Sequence, residues 1–230
     1  MLDWIGLAGR AIRPFVRPKA LRTTPNRVLL VKLCCIGDVV LATALLDCLR
    51  RAWPEATIDW LVGAWSMEAV QGHPALDLAI EAAPRLHGLI RQMAGYDLLV
   101  VPDRSPLLSL AAWRSGVPHR AGLDSAGRGF GYTIRAPIDP DSVCHEADLY
   151  LEVGRALGLN VEGCQVRFEP SAAHVERIAN KLDLSRPYVV LHPGGGDNPG
   201  MAMPLKRWPA RRFAALAERY GVPLADLDGW

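Results

Sequence analysis

The sequence predicts an α/β fold built on a mostly parallel sheet, and three observations lead there. Short runs rich in Val, Ile and Leu recur along the chain, most of them closed by a Gly, Pro or Asp turn. Segments between these runs space their apolar residues as helices do, and strands alternating with helices make βαβ units. The strands read as continuous apolar runs instead of alternating ones, the pattern of a sheet covered on both faces. Composition agrees: 50% of the 230 residues are hydrophobic and 22% charged, with 21 Gly and 18 Pro. That suits a large buried core and lies below the roughly 25–30% Gly plus Pro of low-complexity chains.

Taken in order, RVLLVKL from Arg27 is the first strand and ends at a Gly-containing turn. The helix after it carries Val39, Leu41, Ala42, Leu45, Leu46 and Leu49 at helical spacing and stops at Pro54. TIDWLVG is the second strand, leading into AWSMEAVQG, and LDLAIEA the third, after a His73-Pro74 turn. RLHGLIRQMAG reads as a helix before the strand YDLLVVPD, and SPLLSLAAWRSG as another helix before PHRAGLD. Residues 125–140, SAGRGFGYTIRAPIDP, read as an irregular loop or short hairpin. HEADLYLEVGRALGL is an amphipathic helix ended by Gly158 and Asn160, and SAAHVERIANKL another, with Ser171 as its N-cap. PYVVLH then starts a second βα layer, followed by a long Gly/Pro loop and a helix from about Pro209. The expected organisation is an extension over 1–26, a complete α/β domain over 27–170, and a linker helix with an incomplete second domain over 171–230.

Charge nearly cancels at +2, which gives no support for a nucleic-acid partner. The five cysteines form no CxxC pair and no ligand-like spacing with the six histidines. An odd count that includes the adjacent Cys34 and Cys35 is a poor disulfide framework and points to a reducing compartment. No run approaches the roughly 18 apolar residues of a spanning helix. The N-terminus lacks the order of charges and the cleavage site of a secretory signal. Its first 26 residues set Arg10, Arg13, Arg17, Lys19 and Arg22 against Asp3, among Trp4, Ile5, Leu7, Ile12, Phe15 and Val16. That mixture suits docking on an anionic membrane surface, or a solvated tail lying on the domain, since Pro14 and Pro18 interrupt any helix.

Two segments carry chemistry. At the end of the first strand, Gly37 allows a sharp turn and Asp38 presents a carboxylate at the edge where open α/β sheets bind ligands. Asp38 is either a base for an incoming hydroxyl or the cap of the helix that follows. After the strand PYVVLH, Gly194, Gly195 and Gly196 expose backbone N–H groups that can surround a phosphate, with Lys206 and Arg207 to neutralise a diphosphate. The alternative is a flexible surface loop, and no Walker-type P-loop is present. Asp103 and Arg104, closing the YDLLVV strand, and Arg120, after Pro118-His119, are further candidates facing the ligand crevice. Cys144-His145-Glu146 has no second ligand cluster to make a metal site, and His145 reads as a helix start.

RVLLVKLCCIGDVVLATALLDCLRRAWPEATIDWLVG closely resembles the N-terminal signature of the lipopolysaccharide heptosyltransferases of glycosyltransferase family 9. HPGGG followed by PLKRWPARRFAALAERYG resembles the same family's nucleotide-sugar motif, and the match in order covers most of Arg27 to Tyr220. The resemblance implies a GT-B architecture, two Rossmann-like domains, of which this chain holds the first and the beginning of the second. It implies an inverting, metal-independent transfer, with no cofactor beyond an ADP-heptose donor. The acceptor implied is Kdo–lipid A or a growing lipopolysaccharide core, and the location is the cytoplasm, in peripheral contact with the inner membrane. By the same resemblance Asp38 matches the general base, Lys206 the cation on the donor phosphates, and Gly194–Gly196 their backbone donors. The acidic residue and Gly-rich segment that help such proteins seat the nucleotide sugar have no counterpart before Trp230, so a truncated chain is expected. Two other readings fit the same residues: an inactive remnant that only binds acceptor or nucleotide, and a related transferase acting on another glycan.

Overall fold

A computed structural model of the chain describes residues 9–11, 13–141, 143–182, 185, 188–192 and 207–221. The chain divides into two units, Met1–Ser171 and Ala172–Trp230. In the first unit, six strands form one parallel sheet: β1 (Arg27–Val31), β2 (Thr57–Val62), β3 (Leu78–Glu81), β4 (Leu98–Val101), β5 (His119–Ser125) and β6 (Ile134–Ile138), in the order β3-β2-β1-β4-β5-β6. Helices α1 (Ile36–Ala52), α2 (Leu86–Met93), α3 (Pro106–Arg114) and α4 (Glu146–Ala156) belong to the same unit.

The apolar runs are continuous because the central strands are buried on both faces. Along β1, Val28 and Leu30 join Ile58, Trp60 and Val62 of β2 in one core, under Leu45, Leu46 and Leu49 of α1 and Tyr150 and Val153 of α4. Leu29 and Val31 point the other way, into a core with Leu89 and Met93 of α2 and Leu108 and Ala111 of α3. Each large side chain fully withdrawn from water in this way contributes roughly 1.5–3 kcal/mol. Asp97 fixes where β1 begins: its Oδ2 accepts from the Asn26 and Arg27 backbone N–H groups, both at 2.9 Å.

Three expectations are corrected. The segment over 125–140 is not a hairpin, since Ile134–Ile138 pairs parallel to β5 as a sixth strand. The return limb makes this short crossover by lying across β5 itself. A Cβ on Gly122 would sit 2.5 Å from the buried ring of Tyr132, so only glycine admits that close approach. Asp124 Oδ1 accepts from the Gly129 N–H at 3.0 Å and holds the loop.

The cysteines do form one pairing: Cys48 of α1 and Cys164, beyond α4, are joined as a disulfide with Cα atoms 5.6 Å apart. They lie 116 residues apart in the chain, so spacing gave no sign of it. The described part of the extension lies on the domain. Val16 is 3% exposed, the Lys19 N–H donates to the Thr133 carbonyl at 3.2 Å, and Arg13 pairs with Asp124 at 3.6 Å, while Phe15 stays outside.

The second unit has α5 (Ala172–Lys181) and α6 (Ala210–Arg219), and in it Trp208 packs edge-on against Phe213. The strand expected at PYVVLH does not form over its described residues: Tyr188–His192 carries no regular structure, and Tyr188 and Val190 are exposed. A strand exists only against a partner, and no strand is found among the described residues of this unit. Among the described residues no helix is long and apolar enough to cross a membrane.

Candidate acceptor site at the sheet switch point

The strand order reverses between β1 and β4, where chains leaving the sheet diverge and open a crevice at the strands' carboxyl ends. Lys32 follows β1 directly, and Asp103 stands two residues beyond β4. With Asp38, Pro102, Arg104, Leu123, Glu146 and Tyr150 they line a pocket of about 190 Å³.

Lys32 is the hub. It is buried, and its Nζ lies 3.0 Å from Asp103 Oδ2, 3.9 Å from Asp38 Oδ2 and 4.9 Å from the centre of the Tyr150 ring. Asp103 is held in turn, its Oδ1 accepting from the Ser105 N–H at 2.8 Å. Across the mouth, Arg104 donates to Glu146 Oε1 at 2.9 Å. Tyr150 is 1% exposed, and its buried hydroxyl meets no partner in hydrogen-bonding geometry. Burial, then the carboxylates of Asp38, Glu146 and Asp103, hold that phenol protonated far above its usual range.

Asp38 is not the helix cap. The cap position belongs to Cys35, which makes no side-chain capping bond, and Asp38 lies in the first turn of α1. Its carboxylate keeps 37% of its surface open to solvent. Burial raises its pKa above the ordinary aspartate value, Lys32 pulls it back, and Glu146 and Asp103 raise it again. A partly desolvated carboxylate of this kind holds protons more strongly than a surface aspartate, as a base at an active site needs to.

Asp38, Asp103 and Arg104 thus meet in one pocket, as the sequence suggested. Gly37 is beside it in the first turn of α1, but the sharp turn is not its doing. Cys35 takes the left-handed backbone, φ 67°, while a Cβ on Gly37 would meet nothing within 4 Å. Arg120 does not face the crevice. It sits near the amino end of β5, opposite the pocket, and its buried guanidinium donates to the carbonyls of Gly131, at 2.8 Å, and Val117. It braces the crossover, and burial followed by nearby Arg135 lowers its pKa. Gly194, Gly195, Gly196 and Lys206 lie outside the described residues.

Lys32, Glu146 and Tyr150 were not singled out from sequence. A lysine ending an otherwise apolar strand was the available signal for the first, and Glu146 stood beside the discounted Cys144-His145 pair. His145 caps α4, accepting from the Ala147 N–H at 3.3 Å. Among the described residues no three His, Cys, Asp or Glu side chains gather as a metal site.

Comparison with known proteins gives the chain a family. Residues 87–222 match the model of glycosyltransferase family 9 (heptosyltransferase). Lipopolysaccharide heptosyltransferase 2 of Escherichia coli is 24% identical over 214 residues, 84% of this chain and 60% of that protein. Lipooligosaccharide heptosyltransferase 2 of Haemophilus ducreyi is also 24% identical, over 84% of this chain and 59% of its own length. The chain therefore spans about 60% of the length of the curated relatives it matches.

Among solved structures, a family 9 glycosyltransferase from Veillonella parvula superposes with a TM-score of 0.69 at 22% identity, over 88% of this chain and 61% of that one. The E. coli ADP-heptose lipopolysaccharide heptosyltransferase II gives 0.66 at 23%, over 84% and 61%. These likenesses carry the α/β, GT-B-like fold class. With the family model covering more than half of its residues, the chain belongs to glycosyltransferase family 9, the heptosyltransferase family.

Proposed function

We propose that this chain carries the acceptor-binding, base-bearing part of an enzyme that transfers heptose from ADP-heptose to the inner core of lipopolysaccharide, a Kdo–lipid A or heptosyl acceptor. The observation that carries this reading is the half-exposed Asp38 carboxylate, 3.9 Å from Lys32 at the sheet's switch point, with its proton affinity raised by burial. The names of the matched relatives support the donor and acceptor classes.

In this mechanism Asp38 takes the proton of an acceptor hydroxyl as that oxygen attacks the anomeric carbon. The bond from that carbon to the diphosphate breaks on the opposite face, so the configuration inverts and ADP leaves with the electron pair. Gly194–Gly196 and Lys206 are the groups proposed to meet the growing negative charge; fixed N–H donors and a cation stabilise it without a metal. Arg104 and Glu146 stand at the pocket mouth to receive sugar hydroxyls or acidic substituents of the acceptor. The site of action is the cytoplasmic face of the inner membrane, which the basic, apolar N-terminal segment contacts.

The test is radiolabelled transfer to a Kdo-bearing lipid by the wild type and Asp38→Asn. A loss of roughly 10²–10⁴-fold is expected for removal of a general base. Full activity in the variant would overturn the assigned role. Transfer from a hexose donor in place of ADP-heptose would move the reading to another glycan.

A further inference from the structure

The turn that delivers Asp38 contains a feature the transfer reaction does not use. Cys34 and Cys35 are adjacent, partly exposed, outside any disulfide, and their sulfurs lie 2.7 Å apart. Cys35 also carries the left-handed backbone of the turn, with φ 67° and ψ 115°, one residue before α1 begins. Asp38 and Lys32 are both close enough to Cys35 to act on its thiol electrostatically.

We propose that Cys34 and Cys35 are a redox modification site, closing reversibly to a disulfide by exchange with a small-molecule disulfide and thereby withdrawing Asp38 from its working position. The inference deepens the proposed role of Asp38 and rests on it only for its effect on turnover.

The exchange balances without any other reactant. The Cys34 thiolate attacks the small disulfide, forming a mixed disulfide and expelling one thiol. The Cys35 sulfur, losing its proton, then attacks Cys34 Sγ and expels the second thiol. Two protein thiols are oxidised and one small disulfide is reduced to two thiols. Burial pushes the Cys35 thiol up to about 12, with Cys34 and Asp38 adding to the effect and Lys32 opposing it. Cys35 is thus the resolving sulfur and Cys34 the attacking one.

Geometry makes the closed form labile. Neighbouring Cα atoms are held about 3.8 Å apart by the peptide unit, short of the roughly 4.4–6.8 Å that disulfides normally span. A bond closed across that distance is strained and easily reduced, the behaviour of a regulatory disulfide and not a structural one. Closing the ring also redirects the Cys34–Cys35 backbone, and with it the first turn of α1 that fixes Asp38 against Lys32.

The full chain is incubated with oxidised glutathione, digested and weighed, and the Asp38 carboxyl carbon is followed by NMR in the same samples. The expected result is a Cys34–Cys35 peptide lighter by two hydrogens, a displaced Asp38 resonance, and return of both with dithiothreitol. Cys34→Ser and Cys35→Ser each stop at a glutathione adduct or fail to react, whereas Cys144→Ser behaves as wild type. Only mixed disulfides on the wild type, or a closed pair with an unmoved Asp38 resonance, would overturn the proposal. Both readouts are independent of sugar transfer. An Asp38→Asn variant that keeps full activity would defeat the catalytic reading while leaving the thiol site standing.

Discussion

Replacing Lys32 with Met and, separately, Asp103 with Asn should move the titration of Asp38 in opposite directions. Lys32 Nζ stands 3.9 Å from Asp38 Oδ2 and 3.0 Å from Asp103 Oδ2, so the two carboxylates share one cation. Without Lys32, Asp38 loses the positive charge that favours its ionised form, while Asp103 and Glu146 still repel it, and its pKa rises. Without the Asp103 charge, Asp38 loses a repulsive neighbour and gains a larger share of Lys32, and its pKa falls. Two unit charges about 4 Å apart interact by roughly 1 kcal/mol in water and roughly 4 kcal/mol in a protein-like medium. The Asp38 side chain is 37% exposed, which puts the coupling near the lower figure. About 1 kcal/mol is readily resolved, since midpoints one pH unit apart differ by about 1.4 kcal/mol. The assay is the carboxyl carbon shift of Asp38 against pH, with the acidic limb of kcat/KM as its kinetic counterpart. Shifts of the same sign in both variants, or none in either, would refute a shared-cation network.

Three other outcomes are expected. Asp38→Asn should raise the Tm at neutral pH while lowering transfer by roughly 10²–10⁴-fold. The folded pKa lies above the unfolded value, so the fold disfavours the carboxylate; the penalty is full above the folded pKa and disappears as pH falls through it toward the unfolded value, and thermal melts across that range should show the gain fading in acid. Gly122→Ala should cost about 1–3 kcal/mol by denaturant titration, because its methyl group would collide with Tyr132 ring atoms at 2.5–2.8 Å inside the core. Arg120→Met should lower stability by about 1–3 kcal/mol, the cost of leaving buried carbonyls unpaired, yet leave the KM for acceptor unchanged; a raised KM with intact stability would return Arg120 to the substrate side.

What the sequence disclosed followed from how local each feature is. Strands β1, β2 and β4 were legible because a strand buried on both faces is apolar almost throughout, as RVLLV and LLVV are, whereas β5, HRAGLDS, carries no such run. Strand β6 was not legible, because IRAPI is a short run broken by Arg135 and contains a proline that only a sheet edge tolerates. Its pairing is decided by the Tyr132 ring lying over Gly122, a contact between residues that share no periodicity. The same division runs through the site. Asp38 stood out because a carboxylate just past a strand and a glycine turn is a local pattern. Arg120 was misread because its place after a Pro-His turn resembles a strand's end, and only the register of β5 against β4 shows it to be near the beginning.

Lys32 shows the limit most clearly. In the sequence it is one cation closing an apolar run, a residue that normally stays in water. It becomes the centre of the pocket only because β4 lies against β1, bringing Asp103 to it from 71 residues away. A buried lysine is tolerable only when paired, so whatever fixes that strand neighbourhood also fixes the charge environment of Asp38. The charge of Asp38 and the fold are therefore one problem: a change that loosens β4 from β1 should alter the titration of Asp38 even though it touches neither Asp38 nor Lys32.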